Sequence, residues 1–380
     1  MEEWKEYKAK DFCASVTDGT HDSPKTTSSG HLLITSKHLK NGQIDISTAY
    51  HISEDDFQKI IMRSVVEQYD ILFSMIGTIG TVVQVKQEKV DFAVKNMGIF
   101  KMGKNPLKSS WLFYWLKTHH SKEYINQRLS GTTQAYLTLD SLRNYPILYP
   151  GDKRANIIIS ILKSLDDKIE NNRKINENLE QQAQALFKSW FVDFEPFRDQ
   201  PFVDSELGPI PQGWRVGKLG ELLEIKYGKD HKKLDNGLIP VYGSGGLMRK
   251  VNVSLFQGES ILIPRKGTLN NVMYVNEAFW TVDTMFYSVP KKNHLVLFAF
   301  LFLIRIDLSA LNTGSAVPSM TTEVLNKIQI VIPTEKILEK FDFLVKSLYD
   351  SINRNSKETF RLEGIRDLLL PKLMSGEIKV

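Results

Sequence analysis

The sequence predicts an α+β protein: two repeated, mixed α/β domains separated by a long antiparallel helix pair, a coiled-coil stem. Three observations predict it. Four short pieces recur in the same order in both halves of the chain. A long, heptad-like apolar pattern follows each copy. A stretch dense in proline and aromatic residues joins the first of these patterns to the second copy. The boundaries that follow are 1–150 for the first domain, 151–190 for the central helix and 191–212 for the linker. The second domain is 213–333, and 334–380 is the distal helix with its tail.

Each domain opens on a tryptophan and a base, Trp4-Lys5 and Trp214-Arg215. A strand-like run into a Gly-Thr turn comes next, Ile71 to Thr78 and Ile261 to Thr268. An apolar segment of helical length follows, Trp111 to Leu116 and Leu295 to Ile304. Each copy closes on a Gly-Ser/Thr loop and a short strand ending in proline. There Gly131, Leu142, Ile147 and Pro150 match Gly314, Leu325, Ile330 and Pro333 at a constant offset of 183. The offset falls from 210 to 190 to 183 along the chain. The second copy is therefore the shorter, with its deletions between matched pieces, where loops sit.

The helical patterns begin after the terminal prolines. Ile158, Ile161, Leu165, Ile169, Ile175, Leu179, Ala183 and Leu186 fall mostly three, four or seven apart, as do Phe341, Leu344, Leu348, Ile352, Leu362, Ile365 and Leu369. Such a stripe calls for a partner helix, and each has the other. Polar interruptions stand at matched places, Asn172 and Asn355. Residues 152–190 as one helix would span about 58 Å. Between the patterns, Phe187, Trp190, Phe191, Phe194 and Phe197 are too many rings for a bare linker. They either bury against the helix ends or form a partner-docking surface.

Composition excludes several classes. With 380 residues, 42% hydrophobic and 24% charged, the chain is neither a single small core nor disordered. Its longest apolar run, Leu295 to Ile304, is half the roughly 20 residues needed to cross a bilayer. The start, Met1-Glu2-Glu3-Trp4, shows no signal peptide, and a single cysteine, Cys13, excludes an internal disulfide or a Cys-clustered zinc site. A cytoplasmic protein without a membrane partner is expected. The net charge of +5 is unevenly spread: residues 191–212 carry five acids and one base, and 213–333 carry fourteen bases and nine acids. The basic half admits two readings, a phosphate-contacting face or an ordinary solvated surface.

The usual catalytic patterns are missing. The Gly-Lys pairs at 103, 217 and 228 are not followed as a phosphate loop requires, and Gly243-Ser244-Gly245 lacks the third glycine of a dinucleotide fingerprint. No zinc spacing and no adenine-holding Asn-Pro-Pro-Tyr type of motif occurs, so no catalytic residue and no metal ligand are expected. What remains suits nucleic acid. Loops of Gly, Ser, Thr, Asn and base alternate with strand-like runs; small residues let the backbone approach phosphates, while Arg, Lys, Asn and Gln reach base edges. The nucleic-acid-binding candidates in the first half are Thr20, His21, Ser23, Lys25, Ser36, Lys37, Thr78, Thr132, Thr133 and Gln134. In the second half they are Lys229, Tyr242, Ser244, Arg249, Arg265, Lys266, Thr268, Asn270 and Ser315. Each loop also reads as an ordinary turn.

Asp18-Gly19-Thr20-His21-Asp22-Ser23-Pro24, the stretch Phe187 to Phe197, Gly208-x-Ile210-Pro211-x-Gly213-Trp214 and the ending Leu368 to Ile378 resemble the DNA-specificity subunits of Type I restriction–modification enzymes. The likeness covers the whole chain. It implies two target-recognition domains, each reading one half of a split target in double-stranded DNA. It also implies that the helix pair sets the spacing and docks two methyltransferase subunits, with restriction/translocase subunits joining them. S-adenosylmethionine and ATP would then bind on those partners only, and this chain would hold no cofactor. A self-contained DNA-modifying or DNA-cleaving enzyme, and a coiled-coil scaffold joining two protein-binding modules, are the rival classes.

Overall fold

Apolar runs bounded by glycine turns become strands here, and the two halves of the chain arrange them in the same order. The structure, a computed structural model, describes residues 4–40, 42–131, 135–311 and 318–380. It comprises two units, residues 1–170 with 359–380 and residues 171–358, so each unit takes part of both long helices.

In the first unit, Lys5–Lys8 pairs antiparallel with Pro146–Tyr149, closing the domain's two ends on each other. The main sheet runs in the order Ser15–Asp18, Met97–Lys101, Ile71–Ser74, Val82–Gln84, every neighbour antiparallel. All four side chains of Ile71–Ser74 are buried, which is why this central strand reads as continuous rather than alternating apolar sequence. A second sheet has the order Tyr50–Ile52, His31–Ile34, Phe92–Val94, its last pair parallel. The helix Pro106–Trp115 starts where Asn105 accepts from the Lys108 amide and proline takes the first turn. Its Trp111 and Trp115 indoles donate to the carbonyls of Leu148 and Pro146, both at 2.8 Å, fastening helix to closing strand.

The second unit repeats this plan. Arg215–Lys218 pairs with Gln329–Ile332. A six-stranded sheet runs Leu223–Tyr227, Met285–Pro290, Phe256–Pro264, Met273–Thr281, Asn236–Gly243, Gly246–Val251, its first four members matching the main sheet of the first unit in order. Asn236–Gly243 lies parallel to Met273–Thr281, as His31–Ile34 lies parallel to Phe92–Val94. The helix Glu54–Ser64 of the first unit has no counterpart between Val251 and Phe256, which accounts for part of the fall in offset from 210 to 190. Val296–Leu303 is a helix buried on nearly every side, the expected fate of an apolar run too short for a bilayer.

The long helices cover Asp152–Phe191 and Glu335–Ser375, 40 and 41 residues. The second continues through Pro371. Within each unit the two run antiparallel. In the first, Ala155, Ile158 and Leu162 share a core with Leu370, Leu373 and Met374. Asp166 there accepts from the Tyr114 hydroxyl at 2.9 Å and from Arg366 at 3.0 Å, tying both helices to the domain. In the second unit Glu259, a sheet residue, takes Lys346 of the second helix at 2.8 Å and the Tyr274 hydroxyl at 3.1 Å, tying that helix to the sheet. The matched asparagines do not meet each other. Asn355 donates to Asn176 at 2.9 Å, and Asn172 donates to Glu358 at 2.8 Å.

His31 stacks on Phe57, ring centroids 3.7 Å apart, and bonds the carboxylates of Glu54 (2.6 Å) and Asp91. The Glu54 hydrogen bond, with help from Asp91, holds the imidazole above its ordinary pKa against the opposing effect of burial. A raised folded-state pKa gives stability that is complete below the unfolded value and disappears as pH rises through the folded one. His31→Gln should therefore destabilise the protein more at pH 5 than at pH 8, as read by urea denaturation at both values. An equal loss at the two pH values would show that the ring acts by stacking alone.

Candidate nucleic-acid interface

The candidate residues gather where strands end in loops, and each unit does this with the same backbone device. In the first, the Gly19 amide donates to Met97 and the Thr20 amide to Val94. In the second, the Gly228 amide donates to Met285 and the Lys229 amide to Thr281. A Cβ on Gly19 would lie 2.3 Å from the Val94 carbonyl oxygen, and one on Gly228 would lie 2.0 Å from that of Val282. Only glycine allows so close an approach. The Gly-Thr turns also correspond: Gly77 and Gly267 both have positive φ, and each packs beside a serine, Ser36 and Ser244. Leu137 then donates to the Met75 carbonyl, and Met320 to that of Arg265.

In the first unit, Asp18 is nearly buried and organises the loop. It takes Arg63 at 2.7 Å on one oxygen and His21 at 2.9 Å on the other. The second His21 nitrogen bonds the Asn96 side chain at 2.8 Å. Asp18, His21, Met75, Ile76, Asn96 and Tyr136 border a cavity of about 210 Å³. Thr20 is buried, its hydroxyl engaged with Asp22, so it supports the loop instead of facing a ligand. Ser23 accepts from Lys95. Lys25, Lys37 and Thr78 are exposed, and Ser36 is half-buried. Thr132, Thr133 and Gln134 lie outside the described residues.

In the second unit, Lys229, Lys266 and Thr268 are exposed, as are Lys232 and Lys233 just after Lys229 in the chain, while Arg265 is half-buried. The Ser244 carbonyl accepts from Asn271 at 2.7 Å, joining its turn to the Gly267 turn. Three candidates are engaged internally. The Arg249 guanidinium donates to the Leu234 carbonyl at 2.6 Å, fixing its own hairpin. Tyr242 donates to Glu277 at 2.7 Å, and burial together with that carboxylate pushes the phenol pKa up. Asn270 donates to Asp307 at 2.9 Å and accepts from the Ser309 amide at 3.2 Å. Ser315 lies outside the described residues.

The partner-docking reading of the aromatics is corrected. Phe187, Trp190, Phe191 and Phe197 are buried, and Phe194 packs partly buried against them, in one core with Trp214, Phe298 and Phe341. Phe191 makes edge contacts with Phe298 at 4.9 Å and Phe341 at 4.7 Å, and Phe187 reaches the same two rings. Rings so enclosed offer no face to a partner. Sequence reasoning missed Arg63, Asn96 and Tyr227, and it held Asp18 only as part of the Asp18 to Pro24 motif, not as a site residue. Arg63 reaches Asp18 across 45 residues and Asn96 reaches His21 across 75, juxtapositions that no linear pattern announces.

Among the described residues, His294, Glu335 and Glu339 bring potential metal-ligand atoms within 4.8 Å of one another, a grouping the histidine spacing did not reveal. Glu335 already pairs with Lys292. No described helix is long and apolar enough to cross a membrane.

Residues 1–181 and 211–358 match the type I restriction modification DNA specificity domain, and the chain belongs to that family. It is 30% identical over 305 residues to the type I restriction enzyme MjaIX specificity subunit of Methanocaldococcus jannaschii, covering 73% of this chain and 71% of the relative. The HindI specificity subunit of Haemophilus influenzae is 27% identical over 354 residues, covering 70% and 77%. The crystal structure of a Type-I restriction-modification system S subunit from M. genitalium shares the fold, with a TM-score of 0.62 at 18% identity, over 98% of this chain and 96% of that one. This is a type I S subunit, and its business is DNA sequence specificity.

The shared glycine device makes a direct prediction. Gly228→Ala should cost about 1–3 kcal/mol, because backbone must move to admit the methyl group. Gly245→Ala, with nothing within 4 Å of the new Cβ, should stay within about 0.5 kcal/mol. Urea denaturation of the two variants compares them, and equal stabilities would show that the backbone at Thr281 and Val282 yields freely.

Proposed function

We propose that this chain reads a bipartite target in double-stranded DNA, one half with the loops of each unit, and directs partner methyltransferase and restriction subunits to it. One observation supports this above the rest: the same backbone frame occurs twice, and the two copies carry different side chains on corresponding loops. A protein that reads two unlike half-sites needs that combination. The chain itself is non-catalytic in this reading. Two methyltransferase subunits bring the S-adenosylmethionine, the restriction/translocase subunits bring ATP, and the complex works in the cytoplasm.

Exposed lysines at Lys25, Lys37, Lys229 and Lys266 suit phosphate contacts, which position a protein on DNA without naming a sequence. The long helices act as the ruler between the half-targets. Within each unit the two helices share an apolar core, which supports a fixed pairing of one against the other.

The purified chain should transfer no methyl group to DNA, and methylation should appear when the cognate methyltransferase is added. Methyl transfer by the isolated, homogeneous protein would overturn the assignment. A second test inserts one heptad into both long helices, near Asn172 and near Asn355. A whole heptad keeps the apolar seam in register. It adds about 10 Å, or roughly three base steps of 3.4 Å. Each half-target should stay the same while the spacer lengthens, as read from the methylated motif. Methylation persisting at the original spacing would show that the helices are not the ruler.

A further inference from the structure

Strand register allows the two units to be compared residue by residue. Asp18 pairs with Gly98 next to Met97, and Tyr227 pairs with Phe286 next to Met285. Met97 faces Ser74, and Met285 faces Pro264. The residue that follows each of these strands is Met75 in the first unit and Arg265 in the second. Their carbonyls accept the equivalent amides of Leu137 and Met320. One place in the fold thus carries a buried thioether in one unit and a guanidinium in the other.

The guanidinium is poised rather than used. Arg265 donates one long bond, Nη1 to the Asp283 carbonyl at 3.3 Å, and among the described residues no carboxylate pairs with it. Its centre lies 5.3 Å from the ring centroid of Tyr227, which is 49% exposed. Its backbone is fixed on both sides, the amide donating to Thr284 and the carbonyl accepting from Met320, each at 2.9 Å. Lys266 next to it is exposed, with a flexible stem. These surroundings divide the labour. An ammonium on a free stem follows a phosphate as a point charge. A planar fork held against an aromatic ring loses little further freedom when it forms two parallel hydrogen bonds. In the major groove, guanine presents O6 and N7 to such a fork.

We propose that Arg265, steadied by Tyr227, reads a guanine in the half-target bound by the second unit. The first unit, with Met75 at that place, has no arginine there to read one. This deepens the bipartite reading above and rests on it.

The test uses the full chain with its cognate methyltransferase and a pool of duplexes randomised across both half-targets. Arg265→Ala, Arg265→Lys and Lys266→Ala are compared with the parent protein. Arg265→Ala should relax preference at one G·C pair of one half-target by about 5- to 140-fold, equivalent to 1–3 kcal/mol at 1.4 kcal/mol per tenfold. The other half-target should be unchanged. Arg265→Lys should lose the same preference while keeping the salt dependence. Lys266→Ala should weaken all sequences alike and lower the salt slope by about one. Were Arg265→Ala to fold poorly, Arg265→Lys decides, since it keeps both charge and stem. An unchanged motif in Arg265→Lys, or a uniform loss of affinity without a change of preference, would overturn the proposal. Failure of the parent protein to select any motif would instead remove the bipartite reading beneath it.

Discussion

A helix of forty residues with an apolar stripe cannot keep all of that stripe in water, and in this chain the two such helices bury theirs toward their ends, leaving Ile175 and Ile365 exposed between. Each unit solves the problem locally. In the second, Phe187, Phe191 and Phe341 close on Phe298, so the sheet domain and both helices share one core. In the first, Ala155, Ile158 and Leu162 share theirs with Leu370 and Met374. The polar ties follow from this packing. Asp166 and Glu259 sit where helix meets domain, and each holds a tyrosine hydroxyl together with a cation from the second helix. A carboxylate in such a place is kept by its partners, because removing one would leave a charge poorly solvated.

Seating the sheets on the helices separates the frame from the reading surface. The frame is main-chain: the Gly19 and Gly228 approaches, the closing strand pairs and the carbonyls of Met75 and Arg265 all correspond between the units. Side chains on the loops take little part in that frame and are free to differ. Asp18 stands where Tyr227 does, and Met75 where Arg265 does. Several polar candidates nonetheless belong to the frame. Thr20, Arg249, Tyr242 and Asn270 satisfy buried or hairpin groups, and a buried polar group without a partner costs more than the bond returns.

Much of the architecture was legible in the order of residues. Periodicity is a local property, so the heptad pattern from Ile158 to Leu186 marked a helix without reference to its partner. The repeat was visible because the pieces that define it, a buried strand run, a Gly-Thr turn and a closing strand, are each contiguous. The missing helix between Val251 and Phe256 showed as a change of offset. The linker aromatics were the ambiguous case. Composition said they must be covered, and only the approach of Phe298 and Phe341, more than a hundred residues away, decided by what.

The site itself divides along the same line. Loop positions and their residue types are sequence facts, as are the exposed lysines that suit a polyanion. Which polar groups remain available is a matter of distance. Asp18 gathers Arg63 and His21, His21 gathers Asn96, and Arg265 meets Tyr227, through contacts that chain order does not encode. A side chain's hydrogen-bonding capacity is fixed by its chemistry, but its use is fixed by whichever neighbours the folded backbone brings within about 3 Å.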